Sequence, residues 1–281
     1  MDIELGSQRI IALDERDGAD ALRQRAMDKR GNAFTSGLGS LLQRPKAEDI
    51  ELVGSQRRLD PFWHVVGRAT SVYERRREYA VPASAPEVRE VTIDGATHAV
   101  AESGPGARTF RLEALEHCRD EVRKELNVDA RSGAVTTDAA AVLAGPQHEV
   151  ADPAELAADA TVVVPPEQRA SFVVRQLLAE LLKPVQADRI LEESIVLETT
   201  DLVYRPVWAF EFLWKPKDKR GVVEIDAATG ALTAGGSILP QLGKVISRDA
   251  LFDIGADTVG LLVPGGSIAL KVARVALDKN Y

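Results

Sequence analysis

The chain has a single cysteine, Cys118, among its 281 residues, so an intramolecular disulfide cannot form. This count is typical of proteins from a reducing compartment, and we expect a cytoplasmic location. Aromatic residues are also scarce, at 5% of the chain against 45% for all hydrophobic residues. The core must therefore be built mainly from leucine, valine, isoleucine and alanine.

Long apolar runs are missing as well. No stretch reaches the roughly 18 apolar residues that a spanning helix needs, and the nearest approach, residues 259–270, is interrupted by Pro-Gly-Gly. The first residues are acidic and mixed, without the basic and apolar regions of a signal peptide. The sequence predicts no spanning segment and no signal peptide.

Patterns that carry known chemistry are lacking too. The four histidines, His64, His98, His117 and His148, show no zinc-ligand spacing apart from the adjacent pair His117-Cys118, which would point apart on a helix. Ser267 follows Pro-Gly-Gly, but the final glycine of a nucleophile elbow and a later histidine are absent. We therefore predict no catalytic residue, no metal site and no cofactor.

An acidic pair and a basic run stand out from the remaining charges. Glu224 and Asp226 share one strand face, where they could bind a cation or simply solvate a hairpin. The formal net charge of −8 argues against a nucleic-acid coat but allows a local basic patch. Arg75-Arg76-Arg77 supplies such a patch.

Periodicity and turn residues predict the local structure. The expected elements are an N-terminal strand, a short helix after Gly18, strands near 62–70, 72–81, 88–93 and 97–101, amphipathic helices at 112–126 and 166–182, a hairpin at 222–232, and two tail helices that begin after Ser247 and Ser267. Asp94-Gly95, between two of these strands, is a strong hairpin signal.

Two tryptophan regions repeat one pattern. Ile50, Leu52, Pro61 and Trp63 are each followed, 145 positions later, by the same residue type, at Ile195, Leu197, Pro206 and Trp208. Proline suits a strand start or edge, and a tryptophan two residues later points to the same face of the strand. The spacing predicts a duplicated unit in which a helix covers this face of the sheet.

The second of these regions resembles a PepSY-like module. Such modules have a helix followed by antiparallel strands and end in a hairpin like Val222–Leu232, which here has the sequence VVEIDAATGAL after the helix at 166–182. The resemblance covers about 70 residues and implies a helix-plus-sheet fold. It also implies a binding or inhibitory role, often outside the cytoplasm, but because we expect no signal peptide only the fold is carried over.

Together these patterns predict an α+β fold of two related units, each an antiparallel sheet with a helix packed across it. We expect an N-terminal arm or linker at 1–45, the first unit at 46–160, the second, PepSY-like unit at 161–240, and a C-terminal helical tail at 241–281.

Two surfaces are candidates for contact with other molecules. Strand alternation puts Tyr73, Arg75, Arg77 and Tyr79 on one face and Arg76 on the other. This arrangement fits a solvated sheet face, pairing with an acidic protein surface such as the chain's own residues 129–200 or another subunit, or stacking on bases with contacts to phosphate. The tail helix has an apolar surface that includes Ile268, Leu270, Val272 and Val275, so we expect it to dock either on the chain's own sheets or, for assembly, on another copy or partner.

These surfaces favour a non-catalytic interaction or assembly protein that binds a protein partner or its own copies. The first alternative is a nucleic-acid-binding accessory protein that uses the arginine and tyrosine strand. The second is an enzyme whose site is assembled from distant residues.

Overall fold

A computed structural model of the protein describes residues 2–34, 45–157, 161–234, 251–252 and 269–271. The fold is mixed α+β and mostly sheet. The strands are β1 (Asp2–Leu13), β2 (Ile50–Pro82), β3 (Glu90–Ile93), β4 (Ala96–Ala99), β5 (Ala101–Gly104), β6 (Ala107–Asp129), β7 (Gln147–Val150), β8 (Val162–Val163), β9 (Arg189–Trp214), β10 (Lys219–Asp226), β11 (Leu232–Ala234) and β12 (Ala269–Lys271). The α-helices are α1 (Ala19–Asp28), α2 (Ala139–Leu143) and α3 (Ala170–Leu181), with 3₁₀ turns at Arg30–Phe34, Ala47–Asp49, Pro153–Leu156 and Lys215–Lys217.

One large sheet organises the molecule, in the strand order β11-β10-β9-β2-β6-β5. The long antiparallel pair β2 and β9 lies at its centre, joined from Ile50↔Trp214 to Glu74↔Arg189 with three register shifts. Both strands are rich in the β-branched and aromatic residues that fit a half-buried pleated surface. The predicted strands near 62–70 and 72–81 are therefore parts of one continuous strand.

The N-terminal segment belongs to this sheet. β1 runs parallel to β9 from Asp2↔Ser194 to Ala12↔Tyr204 and pairs with β7 and β12 on its other side. Its buried Ile3 and Ile10 join the main core. The predicted strand and the short helix after Gly18 are confirmed, but β1 is an integral strand of the sheet rather than a separate arm.

Two helices cover one face of the sheet, the front face, on which Trp63 lies. α3 packs chiefly on β2 and β6, and the Nε1 of the fully buried Trp63 donates a hydrogen bond to the Gln168 carbonyl at 2.8 Å. α1 instead packs near β9 and β10, in a core that contains Phe210 and Phe212. The predicted helix at 166–182 is confirmed, but it covers Trp63 rather than Trp208.

The opposite face, the back face, has a smaller apolar core. Phe62 and Val203 pack there with Ile11 and with Ala139 and Val142 of α2. Because residues on a strand alternate between faces, Phe62 and its neighbour Trp63 contribute to different cores. Polar side chains, among them Arg58, Asp60 and Arg205, lie beside this core on the same face.

The helix predicted at 112–126 is wrong, because these residues form β6. β6 pairs with β2 without a register shift from Phe62↔Asp129 to Pro82↔Thr109. Leucine, glutamate, arginine and lysine favour a helix locally, but pairing along the whole of β2 outweighs that preference. The same residues fit a period of two, because odd positions from 111 to 125 are mostly charged and even positions carry Leu112, Val122 and Leu126.

The hairpin predicted at Asp94-Gly95 is present between β3 and β4. Both turn residues have positive φ, 47° and 82°, which suits the tight turn that Asp-Gly favours.

The C-terminal segment differs from the prediction where it can be described. Leu270 lies in β12, which runs parallel to the start of β1, so residues 269–271 are a strand and not part of a helix. Sheet pairing again outweighs local helical periodicity. Ile268, Val272 and Val275 lie outside the described residues, as does nearly all of the first predicted tail helix. In the described part of the chain, no helix is long and apolar enough to cross a membrane.

Candidate interaction surface

A two-stranded arm extends from the sheet. β2 loses its neighbour β9 after Glu74 but continues for eight more residues, Arg75 to Pro82, where β6 is its only paired strand among the described residues. At about 3.3 Å per residue this part of β2 is roughly 25 Å long. The short strands β3, β4 and β5 lie at its far end. The arm therefore exposes far more of its surface than the body of the sheet does.

The arm carries most of the arginine and tyrosine residues predicted to form an interaction surface. Tyr73, at its base, and Arg75, Arg77 and Tyr79 occupy alternate positions of β2 and so lie on the front face, with Arg76 on the back face. Tyr79 is 44% exposed, and the Arg75 guanidinium lies 5.9 Å from the centre of the Tyr73 ring. The predicted alternation is present, on an element that projects into solvent.

Glu116 of β6 occupies the centre of this arginine and tyrosine surface. Arg75 Nε donates to its carboxylate at 2.5 Å, and the Tyr79 hydroxyl donates to its other oxygen. These hydrogen bonds, first from Tyr79 and then from Arg75, lower the pKa of Glu116. The same bond to Glu116 is the main reason that the pKa of Tyr79 is raised. The protein itself thus supplies a carboxylate that neutralises part of the basic surface.

The other two arginines lie beside the segment before β9. The Arg76 backbone N–H donates to Asp188 Oδ2 at 2.5 Å, and Arg77 Nη2 donates to Gln186 Oε1 at 3.2 Å. These contacts cover part of the β2 edge at the base of the arm. They leave the β6 side as the more open edge.

The outer edge of β6 is unpaired over most of its length. Among the described residues, β5 pairs with it only as far as Thr109, and the 134–136 segment bonds to it only at Asn127 and Asp129. Because Asn127 and Asp129 direct backbone groups outward and the register with β2 never shifts, odd-numbered residues from 111 to 125 do the same. This row of N–H and C=O groups is available for strand addition.

Side chains along the β6 edge alternate in sign. The back-face positions carry Arg111, Glu113, Leu115, His117, Arg119, Glu121, Arg123 and Glu125. Charged residues on an edge strand protect it from indiscriminate pairing, so an incoming strand must match their order. Leu115, 49% exposed, is the apolar exception in this row.

A second polar feature lies on the back face of the central sheet, in a depression of about 260 Å³. Arg58 binds Asp60 at 2.9 Å and Glu224 at 2.5 Å, while Arg205 binds Asp138 at 2.7 Å and also pairs with Asp226. Each guanidinium thus lies between two carboxylates.

The charges in this depression are already matched to one another. Glu224 and Asp226, for which the sequence left open cation binding or simple solvation of a hairpin, both bind arginine, and Asp226 Oδ1 also accepts the N–H groups of Ala228 and Thr229 in the hairpin turn. Burial raises the pKa of Asp60, although Arg58 opposes the shift. Within the described ranges, no group of three or more histidine, cysteine or acidic side chains could hold a metal ion. The charged side chains that line the depression are best explained as an ion-pair network that links the neighbouring strands.

The remaining candidates from the sequence do not come together. His64 Nδ1 contacts Asn127 at 2.8 Å and His148 Nδ1 contacts Asp14 at 2.9 Å, whereas His117 lies next to Glu74 on the arm. Cys118 is half-buried on β6, and Ser267 is outside the described residues.

Comparisons of the chain with protein-family models, with curated proteins and with solved structures found no match. The arguments about function therefore depend on the geometry of this molecule. The feature that sequence reasoning missed is the β6 edge, and its signal was the alternation of charged and apolar positions that also fits a helix.

Proposed function

We propose that this is a non-catalytic interaction or assembly protein that binds a protein partner through the arm and the outer edge of β6. The observation that carries this proposal is the row of outward-directed backbone groups between residues 111 and 125, which lack a neighbouring strand in the described structure. A strand from a partner would satisfy these groups and extend the sheet. The long arm lengthens the edge beyond what the body of the sheet provides.

The charges on this surface favour a protein partner over nucleic acid. Nucleic-acid binding is driven largely by phosphate neutralisation, which needs cations that are not already paired. On the front face of the arm, Arg75 is paired with Glu116, and on the back face Arg111 is paired with Glu78. Mixed charges suit an ordered protein strand with a complementary sequence.

The charged depression gives little support to a catalytic role. Catalytic carboxylates are usually set apart by environments that shift their pKa values in opposite directions. Here the carboxylates around Arg58 and Arg205 form a single network of ion pairs that joins β2, β9 and β10. We therefore assign this network to stability.

We also propose that the chain contains two related units. The support comes from pairing: Phe62 faces Asp129, and Val207, 145 positions after Phe62, faces Asp226. Asp129 and Asp226 have the same structural role, since each accepts hydrogen bonds from the backbone N–H groups two and three residues later in its turn.

The two units also have a parallel neighbouring strand at equivalent positions. β8 pairs with Arg58 and Leu59, and β1 pairs with Val203 and Tyr204, which again lie 145 positions later. In this proposal the first unit extends back to include α1, and each helix covers the strands of the other unit, α1 over β9 and β10 and α3 over β2 and β6. The PepSY-like resemblance of the second unit would then describe its strands and hairpin, with its own helix exchanged.

A photocrosslinking experiment tests the proposed function. A photoreactive residue placed at the exposed Leu115 should give protein adducts in cell extracts. The matched control replaces Val53, which is 41% exposed at the other end of β2 and should give none. Failure to obtain adducts at 115, or equal yields at both positions, would contradict a binding role for this edge.

A further inference from the structure

We propose that the partner strand is β6 of a second copy of this chain, added antiparallel so that Asp120 lies opposite Asp120 of the second copy. The proposal rests on the proposed function, because it assumes that the β6 edge is the binding element. Its new content is the identity of the partner and the register of pairing.

The backbone permits this register. Two identical antiparallel strands related by a two-fold axis must place one residue opposite its own copy, so positions that face each other share a parity. The free edge ends near Leu126, because Asn127 already accepts a hydrogen bond from Thr136. When Asp120 lies opposite its own copy, residues 114–126 of one chain pair, in reverse order, with residues 114–126 of the second chain. The part of β6 in one arm then lies beside the part of β6 near α3 in the other copy.

Side chains on both faces are complementary in this register. On the back face, Arg119, which binds Glu121 of its own chain at 3.1 Å, also lies opposite Glu121 of the second copy, so the symmetry joins the two ion pairs into one cluster of four charges. On the front face, Glu116 lies opposite Lys124 of the second copy, twice. The apolar side chains also match, because Cys118 lies opposite Val122 and Ala114 lies opposite Leu126 of the second copy. Opposite charges and apolar pairs at facing positions stabilise antiparallel strands.

The two nearest registers lose this match. A two-residue shift in one direction places Arg119 opposite itself, and a shift in the other direction places Glu121 opposite itself and Arg119 opposite Arg123. A four-residue shift centred on Cys118 restores two charge pairs, Arg111 with Glu125 and Glu113 with Arg123. This register also places Glu116 opposite Asp120 of the second copy, twice, and His117 opposite Arg119. A register centred on Val122 pairs Arg119 with Glu125, Asp120 with Lys124 and Glu121 with Arg123, but it joins only residues 118–126 and so forms fewer backbone hydrogen bonds than pairing of residues 114–126.

The preferred register has unfavourable contacts of its own. Asp120 meets its own copy once at the two-fold axis, and Arg123 lies opposite His117 twice. These contacts weaken the pairing, and the longer paired segment, residues 114–126, is what favours this register over the one centred on Val122. We therefore expect a reversible dimer whose association depends on Arg119 and Glu121.

Disulfide trapping tests the register. Even-numbered residues face each other in non-hydrogen-bonded pairs, with Cα atoms about 4.5 Å apart, which is within disulfide range. The double variant Cys118→Ala, Asp120→Cys should form a disulfide-linked dimer under mild oxidation. The natural Cys118 should not, because its copy lies four residues along the facing strand. Trapping at 118 in preference to 120 would overturn the register.

A charge-swap cycle measured by sedimentation tests the partner. Arg119→Glu and Glu121→Arg should each weaken the dimer about tenfold, since each creates two like-charge contacts. The double variant should restore it, and circular dichroism should confirm that all three remain folded. A chain that stays monomeric at its highest soluble concentration would overturn self-pairing. If that monomer still gives Leu115 adducts with other proteins, the proposed function survives and only the identity of the partner is wrong.

Discussion

β2 passes through two environments. From Ile50 to Glu74 it pairs with β9, and its front face carries the fully buried Trp63 and Val65 beneath α3. From Arg75 to Pro82 it keeps β6 alone among the strands that the structure describes, and its side chains are mostly exposed. The backbone register with β6 does not change between the two parts. Loss of β9 and the burial that comes with it, rather than any change in pairing with β6, therefore separate a stabilising segment from one available for binding.

The sequence of the strand follows this division. Near Trp63 the buried positions are apolar, whereas the arm begins with Arg75-Arg76-Arg77-Glu78. Removing apolar surface from water stabilises the body, while exposed ion pairs on the arm contribute little. We expect substitutions in the body to affect folding, and substitutions in the arm to affect association.

The largest contrast is expected between two aromatic residues on the same face of β2. Trp63→Ala should lower the free energy of unfolding by about 3–5 kcal/mol, because it empties a fully buried site and removes the bond to Gln168. Tyr79→Ala on the arm should change it by less than about 1 kcal/mol. Denaturant unfolding measures both. Similar losses for the two variants would mean that the arm is part of the cooperative core.

A smaller contrast involves two glycines. A Cβ on Gly67 would lie 2.9 Å from Leu181 and 3.0 Å from Leu177, whereas a Cβ on Gly104 at the far end of the arm would meet no atom within 4 Å. Gly67→Ala should therefore cost about 1–3 kcal/mol by forcing α3 away from the sheet.

Gly104→Ala is the matched control and should be close to neutral. Thermal unfolding of both variants gives the comparison. A neutral Gly67→Ala would show that α3 can shift freely and that the body is packed less tightly than it looks.

The body of the sheet also contains a polar group whose removal should increase the stability of the fold. The Tyr204 hydroxyl is fully buried and has no hydrogen-bond partner in the described structure, and burial raises its pKa. Tyr204→Phe should raise the free energy of unfolding by about 1 kcal/mol, since it removes an unsatisfied polar group without leaving a cavity. A clear loss of stability on chemical denaturation would indicate that the hydroxyl has a favourable contact.

The smallest expected contrast is between the pKa values of two carboxyl groups, Asp60 in the body and Glu116 on the arm. Burial raises the pKa of Asp60 in the body, whereas bonds from Tyr79 and Arg75 lower the pKa of Glu116 on the arm. Glu116 therefore adds stability above its unfolded pKa, and this is lost as the pH falls through its folded pKa. Ionised Asp60 has the opposite sign, and its cost is relieved as the pH falls through its raised pKa.

NMR titration of the carboxyl carbons should place Asp60 above the ordinary aspartate value of 3.8 and Glu116 below the ordinary glutamate value of 4.5. Tyr79→Phe should move only Glu116, upward. A shift of both groups would show that the arm and the body are electrostatically coupled.

The sequence by itself determined the elements with strong local signals. The stripe at residues 173–182 predicts α3, Asp94-Gly95 predicts a hairpin, and the regions around Trp63 and Trp208 are strands as expected. The interleaving of Arg75 and Arg77 with Tyr73 and Tyr79 on one face also follows from alternation alone. Each of these depends on residues a few positions apart, where side-chain periodicity and turn chemistry act directly.

Only the tertiary structure decided the rest. Residues 112–126 fit both a helix and a strand, and pairing with β2, more than 30 positions away, selected the strand. The same long-range pairing brought Glu116 to Arg75, inserted β1 beside β9 and left most of the outer edge of β6 without a neighbouring strand among the described residues. Sequence periodicity carries no information about which strand lies beside which. That choice depends on the total surface buried and the backbone groups satisfied when the whole sheet forms.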